Sequence, residues 1–148
     1  MSAIVAVSTN GVRMPLSRDG VSRIARSVLR SERIPHALLS ITFVSNPDIR
    51  ALNRRHLRRN APTDVIAFGF RRAVPSAPVV GDVYIAPGIA RASARANDVS
   101  VREELVRLIV HGTLHVLGYD HPDDDTRTRS AMWRKQERLV KRLSPGRR

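Results

Sequence analysis

With 148 residues the chain has the length of one domain with a real core, residues 1–148, and its hydrophobic share of 42% agrees with a folded globular protein. No run of about 18 apolar residues occurs, which excludes a membrane-spanning helix, and the absence of cysteine excludes disulfides, a disulfide-linked partner and thiolate metal sites. A net charge of +13 predicts attraction to a polyanion, with nucleic acid favoured over membrane lipid or an acidic protein.

Of the 26 basic residues only Lys135 and Lys141 are lysines. Arginine presents a planar fork suited to phosphate. A GC-rich genome or heat adaptation would also favour arginine, so the charge excess carries more weight than the ratio. The apolar run at residues 3–7 is too short for a signal peptide and lacks a preceding basic region, so a cytoplasmic protein is expected.

Residues 3–8 are β-branched and apolar, which predicts a short strand ended by a turn at Thr9-Asn10-Gly11. Ser17 can cap a helix to about Arg30, with Val21, Ile24, Ala25 and Val28 as its buried stripe. The alternation of Leu39, Ile41 and Phe43 marks a second strand over residues 36–45. Asn46-Pro47 reads as a helix start, cap then proline. That helix should turn Ile49, Leu52 and His56 inward and Arg50, Arg54, Arg55 and Arg58 mostly outward.

Residues 58–62 read as a loop, 63–70 as a third strand, 71–78 as an exposed turn and 79–85 as a fourth strand. The short connection favours antiparallel pairing of the last two. Pro87 opens a helix to about Ala96, and another helix starts at Val101, with apolar residues at 101, 105, 108, 109 and 116. A last helix is expected from Pro122-Asp123-Asp124-Asp125, with Met132, Leu139, Val140 and Leu143 on its apolar side. The acidic triplet there is read as capping the positive helix end, with support of a metal as the alternative. The order βαβαββααα predicts an α/β fold: one four-stranded mixed sheet covered by helices, with a parallel pair joined through the first helix.

The chemistry concentrates in His111-Gly112-Thr113-Leu114-His115-Val116-Leu117-Gly118-Tyr119-Asp120-His121, which holds three of the five histidines. Residues four apart share a helix face, so His111 and His115 point the same way. Gly118 supplies a helix stop, and the turn brings His121 towards them. Three imidazoles with a fourth position open form the ligand pattern of catalytic zinc, whereas structural zinc usually takes four protein ligands. One zinc per chain is expected, although nickel, copper or iron also suit imidazole.

Zinc peptidases of the H-E-x-x-H type carry a glutamate base after the first histidine; here that position is Gly112. Peptide hydrolysis therefore ranks lower. A glycine here costs about 1 kcal/mol of helix propensity, and two readings account for it: close approach of backbone or substrate beside the metal, or simple packing.

These residues resemble the YbeY family of endoribonucleases, which mature ribosomal RNA in bacteria. The resemblance rests on the histidine segment, on Pro62-Thr63-Asp64-Val65-Ile66-x-Phe68, on Gly81-Asp82-Val83-x-Ile85, and on Leu52-Asn53 at the expected distance before Pro62. Together these cover residues 46 to 121. The resemblance implies metal-dependent cleavage of single-stranded RNA, in small-subunit ribosomal RNA maturation and ribosome quality control, with ribosomal RNA or the small subunit as partner. Many family members carry an arginine five positions before the proline of this strand, thought to act in catalysis; here that position is Leu57. Arg58 or Arg59 could reach the same space, and no side chain is assigned as catalytic.

Zinc on three neutral imidazoles lowers the pKa of bound water to about 7, and either that water or a ribose hydroxyl could attack the phosphodiester. Arg54, Arg58 and Arg59 are expected to bind RNA at the rim of the cleft. Asp64, Asp82 and Asp120 are candidates to accept the outer N–H groups of the histidines, against plain turn or capping roles. The competing functions are a zinc hydrolase of another substrate class, and a non-catalytic ribosome-binding protein whose metal is structural, with Asp120 as fourth ligand.

Overall fold

The computed structural model describes residues 2–57, 64–120 and 125–145. The elements are β1 (Ser2–Asn10), α1 (Arg18–Ser31), β2 (His36–Val44), α2 (Asn46–Leu57), β3 (Val65–Phe70), β4 (Val79–Ile85), α3 (Pro87–Ala96), α4 (Val101–Val116), a 3-10 turn (Asp125–Arg129) and α5 (Ala131–Leu143). The four strands form one mixed sheet in the order β1-β2-β4-β3. β1, β2 and β4 run parallel, and β3 pairs antiparallel with β4 from Val65 opposite Ile85 to Phe70 opposite Val80. The expected α/β class, the mixed four-stranded sheet and the antiparallel β3–β4 pair are all present.

The side-chain period of two sorts the sheet into two faces. One carries Ala3, Leu39, Ile41, Phe43, Val79, Val83 and Ile85 into a core shared with Val21, Ile24, Val28, Leu105, Ile109, Leu114, Met132 and Leu139. The other buries only a smaller cluster, in which Ile66, Phe68 and Tyr84 meet Ile49 and Leu52 of α2. Thus α1, α4 and α5 share the main core on one face, and α2 lies across the sheet from them.

α4 is the central helix. It is buried around most of its circumference, from Glu104 to Val116, because it rests on β3 and β4 while α1, α3 and α5 pack around it. Ser100 caps its start, accepting from the Glu103 N–H at 3.0 Å. Its end is set by Gly118, at φ +103°, a backbone conformation that side chains resist. Close seating on the sheet depends on absent side chains. A Cβ on Gly112 would lie 2.5 Å from Val83 Cγ1, and one on Gly81 2.4 Å from Val116 Cγ1 and 2.7 Å from Phe68 O. Gly112 therefore faces the sheet, and of its two readings packing is the one this geometry favours.

Three local expectations are corrected. β1 runs on to Asn10 rather than ending at residue 8. Val101 is 39% exposed and belongs to no buried stripe. The last helix begins at Ala131, not in the acidic segment: Ser130 is its cap, accepting from the Trp133 N–H at 3.1 Å, and Asp125 lies in the preceding 3-10 turn. The serine hydroxyl supplies the cap that was assigned to the aspartates. Asp123 and Asp124 lie outside the described residues, as do the expected loop at 58–62 and the start of the third strand at residue 63.

Candidate metal centre

His111 and His115 project from one face of α4 one turn apart, as the i, i+4 spacing requires. Their rings meet edge to face, with centroids 4.6 Å apart and planes at 77°. Each ring makes a hydrogen bond through Nδ1. That of His111 lies 2.5 Å from Gln136 Oε1 on α5, and that of His115 lies 2.9 Å from the Tyr119 carbonyl oxygen. A carbonyl only accepts, so His115 carries its proton on Nδ1. In the neutral ring this tautomer puts the lone pair on Nε2, the form in which imidazole binds a metal. The two histidines thus fit an ion in donor type, spacing and tautomer. Among the described residues no group of three His, Asp or Glu side chains could hold a metal; the third expected ligand, His121, lies outside them.

Neither described histidine takes one of the candidate aspartates on Nδ1. Asp82 alternates with Gly81 and Val83, which face α4, so its side chain points to the other face of the sheet, where Ser40 Oγ donates to it at 2.7 Å. Asp120 is exposed. Asp64 is half-buried, and its carboxyl is pushed above the ordinary range by burial and by the nearby charge of Glu104.

Tyr119 is itself tied down. Its hydroxyl donates to Glu32 Oε1 at the end of α1, and Lys135 Nζ donates to Glu32 Oε2 at 2.9 Å while lying 5.2 Å from the centre of the Tyr119 ring. Burial pulls the Glu32 carboxyl upward, but the bonds from Tyr119 and Lys135 outweigh it and hold it below the ordinary range. The turn that follows α4 is therefore anchored to α1 and α5.

A second polar cluster backs Gln136. Arg107 donates from Nε and from its Nη2 nitrogen to the two carboxylate oxygens of Glu137, both at 2.9 Å, and reaches Glu103 and Glu104 at 3.0 Å. Burial pulls the Glu137 carboxyl upward, yet bonds from Arg107 and Gln136 leave it below its ordinary value of 4.5. A carboxylate with a lowered folded pKa stabilises the fold above its ordinary value and loses that contribution as pH falls through the folded value. The urea midpoint of the metal-free protein should therefore drop on titration from pH 6 to pH 3, and Glu137→Gln should flatten the drop. Asp64 has the opposite sign: its contribution is present below its ordinary value of 3.8 and lost as pH rises. Asp64→Asn should accordingly raise stability at neutral pH.

Among the arginines proposed for RNA, Arg54 is exposed on α2, across the sheet from the histidine helix. Arg58 and Arg59 lie outside the described residues, as does the side chain at the Leu57 position. The inward side of α2 carries Ile49 as expected and also the buried Asn53, while the expected His56 side chain lies outside the described residues. Gln136 escaped the sequence reading. It interrupts the apolar stripe of α5 between Met132 and Leu139 and is 1% exposed; a polar residue at core spacing was the available signal.

Comparison with known proteins finds relatives over most of the chain. The family model described as endoribonuclease YbeY matches residues 8–144. A protein named endoribonuclease YbeY from Syntrophus aciditrophicus is 30% identical over 142 residues, covering 94% of this chain and 89% of the relative. Its namesake from Geobacillus kaustophilus is 36% identical, covering 84% and 85%, and that from Beutenbergia cavernae is 41% identical, covering 69% and 73%. A solution structure of a Thermotoga maritima protein superposes with a TM-score of 0.60 at 23% identity, over 98% of this chain and 100% of that one, and so shares the fold. The chain belongs to the endoribonuclease YbeY family.

Proposed function

We propose that this chain is an endoribonuclease that cleaves single-stranded RNA with one zinc ion held by His111, His115 and His121, and that it acts in the cytoplasm in small-subunit ribosomal RNA maturation and ribosome quality control. The observation that carries the metal part is the histidine pair of α4, one turn apart on one helix face with both Nδ1 atoms bonded outward. The RNA part rests on family membership and on the +13 charge. Among the described residues no helix is long and apolar enough to cross a membrane, in keeping with a role away from the bilayer.

When bound, zinc supplies a Lewis acid that lowers the pKa of a coordinated water to about 7 and counters charge on the scissile phosphate. The chain supplies the rest. His111 and His115 orient the ion, Tyr119 fixes the proton of His115 away from it, and arginines hold the RNA through its phosphates. With few aromatic residues (4%), base stacking contributes little to RNA binding. Gly112 leaves no carboxylate base beside His111. The test is elemental analysis of the purified protein, paired with RNA cleavage with and without chelator. One zinc per chain and chelator-sensitive cleavage are expected, and an intact site without RNase activity would favour a hydrolase of another substrate class.

Arg54, Arg58 and Arg59 are proposed to hold RNA where the segment after α2 leads into β3. The triple alanine variant should bind RNA more weakly and flatten the salt dependence of binding by about 2 in log–log slope, the value for three lost single-strand phosphate contacts. An unchanged slope would show that the phosphates lie elsewhere.

A further inference from the structure

The orientation of a buried glutamine amide controls which nitrogen of its histidine partner carries the proton. The Gln136 side chain is 1% exposed, and its Nε2 donates to Glu137 Oε2 at 3.0 Å. Glu137 is held by two bonds from the Arg107 guanidinium. A carboxylate only accepts, so the NH2 end of the amide must face Glu137. The carbonyl end is thereby turned to His111, whose Nδ1 lies 2.5 Å away. A carbonyl also only accepts, so Nδ1 must be the donor. A charged pair between α4 and α5 thus bears on a single ring nitrogen of His111.

Resting on the metal reading above, we propose that Gln136 is a positioning residue of the metal centre: oriented by the Arg107–Glu137 ion pair, it holds His111 as the Nδ1–H tautomer with its Nε2 lone pair turned to the ion. His115 obtains the same state from a backbone carbonyl that mutation cannot remove. At His111 the acceptor on Nδ1 is a replaceable side chain. The Arg107 cluster thus acts on the centre through hydrogen-bond direction, although no charge of it touches a ligand.

The test uses the full-length metal-free protein, long-range 1H–15N NMR of the imidazoles at pH 8, and zinc titration against a competing chelator. The wild-type protein should show His111 as Nδ1–H. Gln136→Leu keeps the bulk and removes the acceptor; it should give mixed His111 tautomers, leave His115 as Nδ1–H, and weaken zinc binding about 10- to 100-fold, the usual loss when such an outer partner is removed. Gln136→Glu still turns an oxygen to His111, whether ionised or sharing a proton with Glu137, so it should retain the tautomer and bind zinc within a few-fold of wild type, which also decides the matter if the leucine variant does not fold. A leucine variant with unchanged tautomer and zinc affinity, or a glutamate variant that loses as much as leucine, would reduce Gln136 to a packing role and overturn the proposal. An Nε2–H His111 in the wild-type protein would overturn it whatever zinc does. Nδ1–H throughout with no zinc bound would instead refute the metal reading and keep the tautomer relay.

Discussion

His115→Ala should yield a folded protein that neither retains zinc nor cleaves RNA, with RNA binding largely intact. The ring of His115 is half-buried and contributes one nitrogen of the proposed set, and its Nδ1 is the atom bonded to the Tyr119 carbonyl. Removing it leaves too few imidazoles for a stable site. Cleavage should fall to the level of the chelated wild type, because the residue after His111 is Gly112 and not the glutamate base of H-E-x-x-H. RNA binding rests on arginine charge spread over the chain, which the substitution does not touch. Thermal melting gives an independent reading: zinc at 100 times its Kd should stabilise the wild type by about 2.7 kcal/mol and the variant by nothing. A metal-free variant that cleaves RNA at the wild-type rate would overturn the assignment.

The fold was legible wherever a period could be read from neighbouring residues. The alternation Leu39, Ile41, Phe43 lies on the core face of β2, and Ser17 caps α1 by accepting from the Gly20 N–H at 3.0 Å. The short 71–78 connection gave the β3–β4 hairpin because two strands joined closely have little choice but to pair. The placement of β4 between β2 and β3 was not legible. It depends on a parallel ladder to β2 across more than forty intervening residues, from Ala37 opposite Val79 to Phe43 opposite Ile85, and no local pattern encodes that partner. The start of α5 was misplaced for a different reason. Aspartates and serine are all good caps, and only the hydrogen bond from Trp133 to Ser130 decides between them.

The candidate site divides along the same line. His111 and His115 were readable because helix spacing alone puts them together. The support of His111 was not, because Gln136 reaches it from 25 residues away; that of His115 is the local carbonyl of Tyr119, four residues on, whose own anchor Glu32 lies 87 residues away. Aspartate is one candidate partner on chemical grounds, against plain turn or capping roles, and an amide oxygen and a backbone carbonyl hold the two rings. Either accepts a single N–H without bringing another negative charge into a half-buried site.

Gly112 offers the second large effect, and its sign discriminates between the two readings of that glycine. On helix propensity alone, Gly112→Ala should stabilise α4 by about 1 kcal/mol, and a role in substrate approach would leave that gain visible in the metal-free protein. The geometry opposes it. The added Cβ would lie 2.5 Å from Val83 Cγ1, 3.3 Å from its Cγ2 and 3.4 Å from Val65 Cγ2, and Val83 is wholly buried in the central strand. Overpacking of this kind costs about 1–3 kcal/mol, so the alanine variant should be less stable than wild type by up to about 2 kcal/mol. Gly112→Val, whose added methyls enter the same gap, should lose about 3 kcal/mol or more. All the atoms in the way belong to side chains, so Val83→Ala should relieve the strain. Combined with Gly112→Ala, it should cost less than the sum of the two single changes, by about 1 kcal/mol or more, as expected for residues in direct contact. Because the helix must lift where it carries His111 and His115, zinc affinity should fall in the glycine variants and recover in the double variant. A metal-free Gly112→Ala protein more stable than wild type would show that the glycine is kept for what approaches the centre, not for how α4 sits on the sheet.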